Sequence, residues 1–464
     1  MNQPLHYLDI ASLAKMIQAR EISPIEVTQY MLDRIEQVDA KLNSYLYVSH
    51  ELALQQAKQA ESEISRGEYR GLLHGIPLGI KDLFWVKDLP CTGGMGIHQD
   101  FIPTENATVV DRLIKAGAVI LGKLHMTEGA YASHHPAFNM PFNPWSEKIW
   151  TGASSSGSGI AVAAGLCFAA LGSDTGGSIR FPAAANGITG LKPTWGAVSR
   201  FGCYELSGSL DHIGPMARTT EDVALLYSTI AGYDPKDVTS LDSDVRILDG
   251  SIPSLAGLKI GVDEAWMYKG VDIEVQQSLQ NMIKILQKQG AIICPIHMPN
   301  TKFLNEHWEV HCGVQTAIAH EATYPLMKAG YGEALSRLIE TGHQTPATLY
   351  QQLLTGGVLF TGKLNQIFMQ VDTILAPVQP YAAPSLERLS RLVNDSEENS
   401  KMVKFTSPFN ISGHPCLSLP AGFTHENFPL GCQFIAQKGQ EKLLCNLGIA
   451  LQKITDWHLQ HPVA

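Results

Sequence analysis

The chain has 464 residues, 45% of them hydrophobic, which is enough for a large buried core. Charged residues make up 17%, with 34 Lys and Arg against 44 Asp and Glu and a formal net charge of −10, a balance that excludes the basic footprint of a nucleic-acid binder. No apolar run reaches membrane-spanning length, and residues 1–10 lack the basic-then-apolar pattern of a secretory signal, so neither membrane insertion nor export is expected.

Leu13, Met16 and Ile17 recur at helical spacing. Ser23-Pro24 then reads as an N-cap followed by proline at the first helical position, and Val27, Tyr30, Met31 and Ile35 continue one face. Residues 1–70 are therefore expected to form an N-terminal helical arm, with one large α/β domain over 71–464. Residues 75–83 (GIPLGIKDL) are a short apolar run bounded by Gly and Pro, as in a buried strand. Val109, Val110, Leu113 and Ile114 give a helix that Gly117 ends, and residues 118–122 (AVILG) return as a strand. The apolar stretch 159–172 reads as a buried core helix. The rhythm resumes with a strand over 258–262. A helical stripe at Val275, Leu279, Met282, Ile283 and Leu286 follows, stopped by Gly290, and then a strand over 291–296. Residues 373–378, 416–420 and 431–436 read as further strands, and 442–454 as a closing helix. The Asp/Ser-rich segment 234–250 reads as a loop, and the polar segment 388–400 as a surface loop or short helix. Insertions are expected at about 234–250 and 300–400. The alternation of strand, helix and strand predicts an α/β fold with parallel pairing.

The chemistry concentrates between residues 151 and 215. TGASSSGSG runs straight into an Ala-rich helical pattern from Ile160, so it reads as a tight loop feeding a buried helix rather than a flexible linker. Downstream, Asp174-Thr175-Gly176-Gly177-Ser178 places two glycines before a serine. The missing side chains would let a substrate carbonyl approach the backbone, where the N–H groups of Thr175, Gly176 and Gly177 could form an oxyanion hole. A serine nucleophile needs a base. No G-x-S-x-G elbow is present, and His212 (SLDHIGP) reads as structural, although the residues alone leave a Ser–His–Asp triad open. The other choice is a buried lysine, which sheds its charge when desolvated. Lys81, ending an apolar run, and Lys192 (GLKPT) qualify on the same grounds.

The pairing of TGASSSGSG with GSDTGGSIRFPAA resembles the amidase signature, and GLKPTWGAVSRFG and SLDHIGPMAR continue it. Weaker likeness extends to GIPLGIKDLF and to FTSPFNISGHPCLSLPAGF with LGCQFIA, so the resemblance covers most of the chain. It implies the amidase-signature fold, a large mixed β-sheet flanked by helices on both faces. It also implies hydrolysis of a small carboxylic amide to acid and ammonia or amine through an acyl-enzyme, with a Ser-Ser-Lys triad. Ser178 falls on the nucleophile, Ser154 on the bridging serine after a cis peptide, and Lys81, rather than Lys192, on the lysine. Thr175, Gly176 and Gly177 fall on the oxyanion backbone, and Asp174 and Arg180 on positions that support the loop. The first motif, Gly152-Ala153-Ser154-Ser155-Ser156-Gly157, departs from the common GGSSGG at Ala153 and Ser156, while the hydroxyl at Ser154 is retained.

The same signature occurs in the glutaminase (A) subunit of tRNA-dependent amidotransferases, which is the alternative reading, with a non-catalytic interaction protein of the same fold as a remote one. Those proteins often carry an aspartate before the phrase matching Phe405-Thr406, where this chain has Met402-Val403-Lys404. No metal or organic cofactor is implied, nor a nucleic-acid or membrane partner. A homodimer is expected on general frequency. Eight cysteines without a C-x-x-C pair suit reduced thiols and a cytoplasmic location. Tyr131 and Tyr204 are candidates for the substrate pocket, alongside Phe138 and Trp308, all four equally readable as core.

Overall fold

The computed structural model describes residues 3–242, 247–248, 253–392 and 396–463. Among them, eleven strands form one sheet: β1 (Tyr45–Val48), β2 (Pro77–Lys81), β3 (Val119–Leu124), β4 (Ala169–Asp174), β5 (Thr189–Lys192), β6 (His212–Ala217), β7 (Lys259–Val262), β8 (Ile292–Pro295), β9 (Thr373–Pro377), β10 (Cys416–Phe423) and β11 (Pro429–Ala436). Their spatial order is β1-β3-β2-β4-β6-β5-β10-β11-β9-β7-β8. The sheet is mixed in a particular way. The trio β3-β2-β4 and the trio β9-β7-β8 are parallel, and the stretch from β4 through β6, β5, β10 and β11 to β9 is antiparallel. The large mixed sheet is as the resemblance implied, and the parallel pairing read from the strand–helix rhythm occurs at these two flanks.

β2, β3, β4 and β6 are buried at every position, as strands covered on both faces must be, and this explains their mainly apolar sequences. Parallel β2 and β4 pair with Ile80 opposite Leu171, so both strands leave the sheet at the same edge. Lys81, the last residue of β2, arrives there one position past that pair, and β4 runs on to Asp174, its last residue. Between them in sequence runs the helix Ser156–Ala163, which packs on β2 and β4 and on the helix Arg180–Asn186. The stretch 159–172, expected as one core helix, is therefore the end of a helix, a short connection and most of β4. Its uniform apolarity hides the change because both elements are buried on all sides.

The first 70 residues are mainly helical (Ile10–Gln18, Pro24–Leu42 and His50–Ser65), yet they also supply β1, which pairs antiparallel with β3 and makes one edge of the sheet. Of the segment 234–250, residues 243–246 and 249–250 lie outside the described residues; of 388–400, residues 393–395 do. The described parts of the latter are the helices Leu386–Leu392 and Ser396–Met402. No helix among the described residues is long and apolar enough to cross a membrane.

The start of the second helix is built as its sequence suggests. Ser23 Oγ accepts from the Glu26 N–H at 3.1 Å while Glu26 Oε2 accepts from the Ser23 N–H at 2.8 Å, a reciprocal capping box ahead of Pro24. Ser23→Ala leaves one helix donor without its side-chain acceptor and is expected to lower stability by about 1 kcal/mol, read as a shift in urea midpoint at constant slope.

Candidate active site

Lys81 is fully buried at the end of β2 and contacts three hydroxyls. Its Nζ lies 2.8 Å from Ser154 Oγ, 2.9 Å from Ser155 Oγ and 2.8 Å from Ser173 Oγ. No carboxylate is among these partners. Burial therefore dominates and lowers the ammonium pKa to about 7, against a weaker upward pull from the Asp174 and Asp211 carboxylates. The direction of the hydrogen bond to Ser155 follows from counting protons. Ser155 Oγ donates to the Ser173 carbonyl at 3.2 Å, so toward Lys81 it accepts. A neutral lysine that donates to Ser155 and Ser173 then has its lone pair free to accept from Ser154.

Lys192 ends β5, equally buried, and burial lowers it to about 8. Its Nζ donates to the Pro193 carbonyl at 3.1 Å and meets no serine hydroxyl among the described residues. His212 Nδ1 faces the Leu210 carbonyl at 2.6 Å, and burial drives its pKa well down. The structure thus separates the two lysines, which sequence spacing leaves equivalent, and gives His212 a backbone partner.

The peptide between Ala153 and Ser154 is cis. From residue 151 to residue 194 every side chain is buried except Ala153 and Ser178, and both line the same cavity. The Ser155 N–H donates to the Ser178 carbonyl at 3.3 Å, tying the two serine loops together.

The loop after β4 is held from behind. Asn410 Nδ2 donates to the Asp174 carbonyl (2.8 Å), Trp308 Nε1 to the Thr175 carbonyl (3.2 Å) and Thr406 Oγ1 to the Gly176 carbonyl (2.5 Å). In a planar trans peptide the N–H points away from the preceding carbonyl, so the amides of Thr175, Gly176 and Gly177 are turned to the other side. Of these three, the Gly177 N–H is taken by Asp174 Oδ1 at 2.8 Å, while Thr175 and Gly176 line the cavity beside Ser178. The two glycines also have a use that sequence reasoning did not anticipate. A Cβ at Gly176 would strike the Trp308 ring and one at Gly177 the Phe181 ring, and both rings form cavity wall. The space left by the missing side chains is filled by the protein itself.

Asp174 and Arg180 are both fully buried and face each other through two contacts, Nε to Oδ2 at 3.0 Å and Nη2 to Oδ1 at 2.9 Å. Burial opposes ionisation of Asp174, but the Arg180 guanidinium outweighs it and holds the carboxyl far below the usual range. Arg180 also donates to Asn410 Oδ1 (2.7 Å) and Gln433 Oε1 (3.2 Å), which satisfies the guanidinium with groups from distant chain segments. Asn410 and Gln433 carry no local sequence signal for this role; each matters only because the sheet brings it to Arg180.

The cavity at Ser178 has a volume of about 260 Å³. Tyr131 lines it and donates to Glu309 Oε1 at 2.6 Å. Tyr204 does not line it. Its hydroxyl donates to the Cys91 carbonyl at 3.1 Å, and its ring walls a separate space of about 40 Å³ with Asp211 and Ser173. Phe138 packs edge-on against His125 and His135 rather than on the cavity, whereas Trp308 is a cavity wall.

A mixed sheet with buried serines and a desolvated lysine at one edge, beside a largely apolar cavity, fits a hydrolase of carbon–nitrogen bonds. The Amidase family model matches residues 26–445, and the chain belongs to the amidase (amidase signature) family. It is 42% identical to AmiD of Mycobacterium tuberculosis over 456 residues, covering 98% of this chain and 96% of that protein. It is 36% identical to the A subunit of the glutamyl-tRNA(Gln) amidotransferase of Coxiella burnetii over 486 residues, 99% of each. Among solved structures, the native peptide amidase of Stenotrophomonas maltophilia superposes with a TM-score of 0.83 at 27% identity, covering 97% of this chain and 98% of that one. The protein is accordingly an amidohydrolase acting on linear amide bonds.

Arg180→Ala would strand a buried carboxylate. Stability is expected to fall by about 3–5 kcal/mol, measured by denaturant unfolding, and Arg180→Lys should recover only part of it because one ammonium cannot replace the guanidinium fork.

Proposed function

We propose that the protein hydrolyses carboxamides by acyl transfer, with Ser178 as nucleophile, Ser154 as the bridging hydroxyl and Lys81 as the base. The observation that carries this reading is Lys81 Nζ 2.8 Å from Ser154 Oγ, buried, without a contacting carboxylate, and with a pKa lowered to about 7. Neutral Lys81 takes the Ser154 proton as Ser154 takes that of Ser178. Ser178 Oγ then bonds to the amide carbon, and the carbonyl oxygen gains the charge. The Thr175 and Gly176 amides stabilise that oxyanion, with the Gly177 amide serving instead to tether the loop to Asp174. The relay returns the proton to the leaving nitrogen, the carbon–nitrogen bond breaks, and ammonia or an amine departs. Water, deprotonated by the same relay, cleaves the ester and restores Ser178.

The reading as a glutaminase within an amidotransferase draws support from the 36% identity to such a protein. Ammonia release by the isolated chain separates the two. We expect turnover of simple carboxamides without partner proteins, with Ser178→Ala as the blank; activity confined to glutamine would replace the first reading by the second.

Two consequences test the relay. Lys81→Ala should lower kcat/KM by about a thousandfold or more while the far-ultraviolet circular dichroism stays native. In the wild type the base must be neutral, and protonation removes it. The pH profile of kcat/KM should therefore fall as pH drops through about 7 and level off above it. A profile flat from pH 5 to pH 9 would remove Lys81 from the mechanism.

A further inference from the structure

The cavity at Ser178 has a one-sided charge. Trp150, Phe181 and Trp308 form its walls, and its rim includes Met140 and Leu386, which are 50% and 39% exposed. Among the described residues that line it, three have side chains of titratable type other than serine or threonine: Tyr131, His134 and Glu309. His134 shares a hydrogen bond with Ser156 Oγ at 3.0 Å, and burial lowers its pKa to about 3, so the ring is neutral. Burial likewise raises Tyr131 well above its ordinary range, so the phenol keeps its proton and donates it to Glu309. No lysine or arginine is among the described lining residues. The cation whose field reaches Tyr131 is Arg337, which is exposed, faces Glu333 at 3.6 Å and does not line the cavity. An anion entering this space would lose its water, meet no cation among the described lining residues and face the Glu309 side chain.

Resting on the acyl-transfer reading of this same site, we propose that the cavity takes carboxamides whose acyl chain is apolar and ends without a carboxylate, and that Glu309, oriented by the Tyr131 hydroxyl, is the residue that rejects acyl chains ending in an anion. The volume of about 260 Å³ lies just below the range of drug-sized pockets, so the acyl group is that of a small molecule, with longer apolar chains extending over Met140 and Leu386. Free glutamine is a poor fit, because its α-carboxylate would find no cationic partner among the described lining residues.

The test compares hexanamide with adipamate, which has the same chain length and a carboxylate in place of the terminal methyl. Ammonia release is measured for both, and for glutamine, with Ser178→Ala as the blank. We expect the wild-type kcat/KM for hexanamide to exceed that for adipamate by about a hundredfold, and Glu309→Gln, which keeps an acceptor for Tyr131, to reduce that ratio by about tenfold. Equal constants, or a preference for adipamate or glutamine, would overturn the proposal while leaving the amidase reading intact, since the ammonia would still depend on Ser178. An unchanged ratio in Glu309→Gln would remove Glu309 from the discrimination. Labelling by a small sulfonyl fluoride distinguishes the remaining cases: modification of Ser178 without turnover of hexanamide would overturn the substrate class alone, and absence of both would overturn the underlying mechanism as well. The wild-type ratio needs no variant, so the proposal stays testable if Glu309→Gln fails to fold.

Discussion

The arrangement at the edge of the sheet depends on the buried ion pair of Asp174 and Arg180. Two charges removed from water gain little net stability from each other. Their value here is positional. Asp174 ends β4 and accepts from the amides of Gly177 and Ile179, so its carboxylate sets the path of the loop that carries Ser178. Arg180 gathers Asn410 and Gln433, and Asn410 in turn holds the Asp174 carbonyl. The loop is thereby clamped between the strand it leaves and the far, antiparallel part of the sheet. A solvated, flexible loop could not hold three successive peptide planes in this way.

Three buried lysines show how strongly partners decide charge. Lys123 is as buried as Lys81, but Asp82 lies 2.9 Å away and outweighs burial, so its pKa rises. Lys192 has a carbonyl, and Lys81 has only hydroxyls, and both fall. Position at the end of a buried strand is common to Lys81 and Lys192 and says nothing about proton transfer by itself. The three serines around Lys81 make the difference, and two of them, Ser155 and Ser173, keep its donors occupied.

Much of this was legible in the sequence, and what was not has a common cause. Period and punctuation marked the strands ending at Lys81 and around residues 119–124, the capped helix at Ser23 and the closing helix, because each signal lies within a few neighbouring residues. The amidase-signature runs marked Lys81, Ser154 and Ser178 as candidates, and of these the structure shows Lys81 Nζ 2.8 Å from Ser154 Oγ. The division of 159–172 was hidden because a helix and a strand buried on every side have the same composition. β1 was hidden because four residues between helices acquire their meaning only by pairing with β3. Trp308, Thr406, Asn410 and Gln433 were beyond local reading as supports, since their partners lie far away in the chain. That Tyr204 lies off the cavity at Ser178 has the same reason: an aromatic ring near a motif in sequence points wherever the intervening turn sends it.

Trp308 has two duties at once. Its ring forms cavity wall against Gly176, and its N–H holds the Thr175 carbonyl. Altering that wall to admit a different acyl group also disturbs the peptide whose neighbouring amide faces the cavity. Leu386, Leu389 and Met402 line the same cavity from helices remote from the serine loops. Diversification of this scaffold toward new amides is therefore channelled: drift at the rim changes fit alone, whereas any change at the indole must be matched in the loop beneath it.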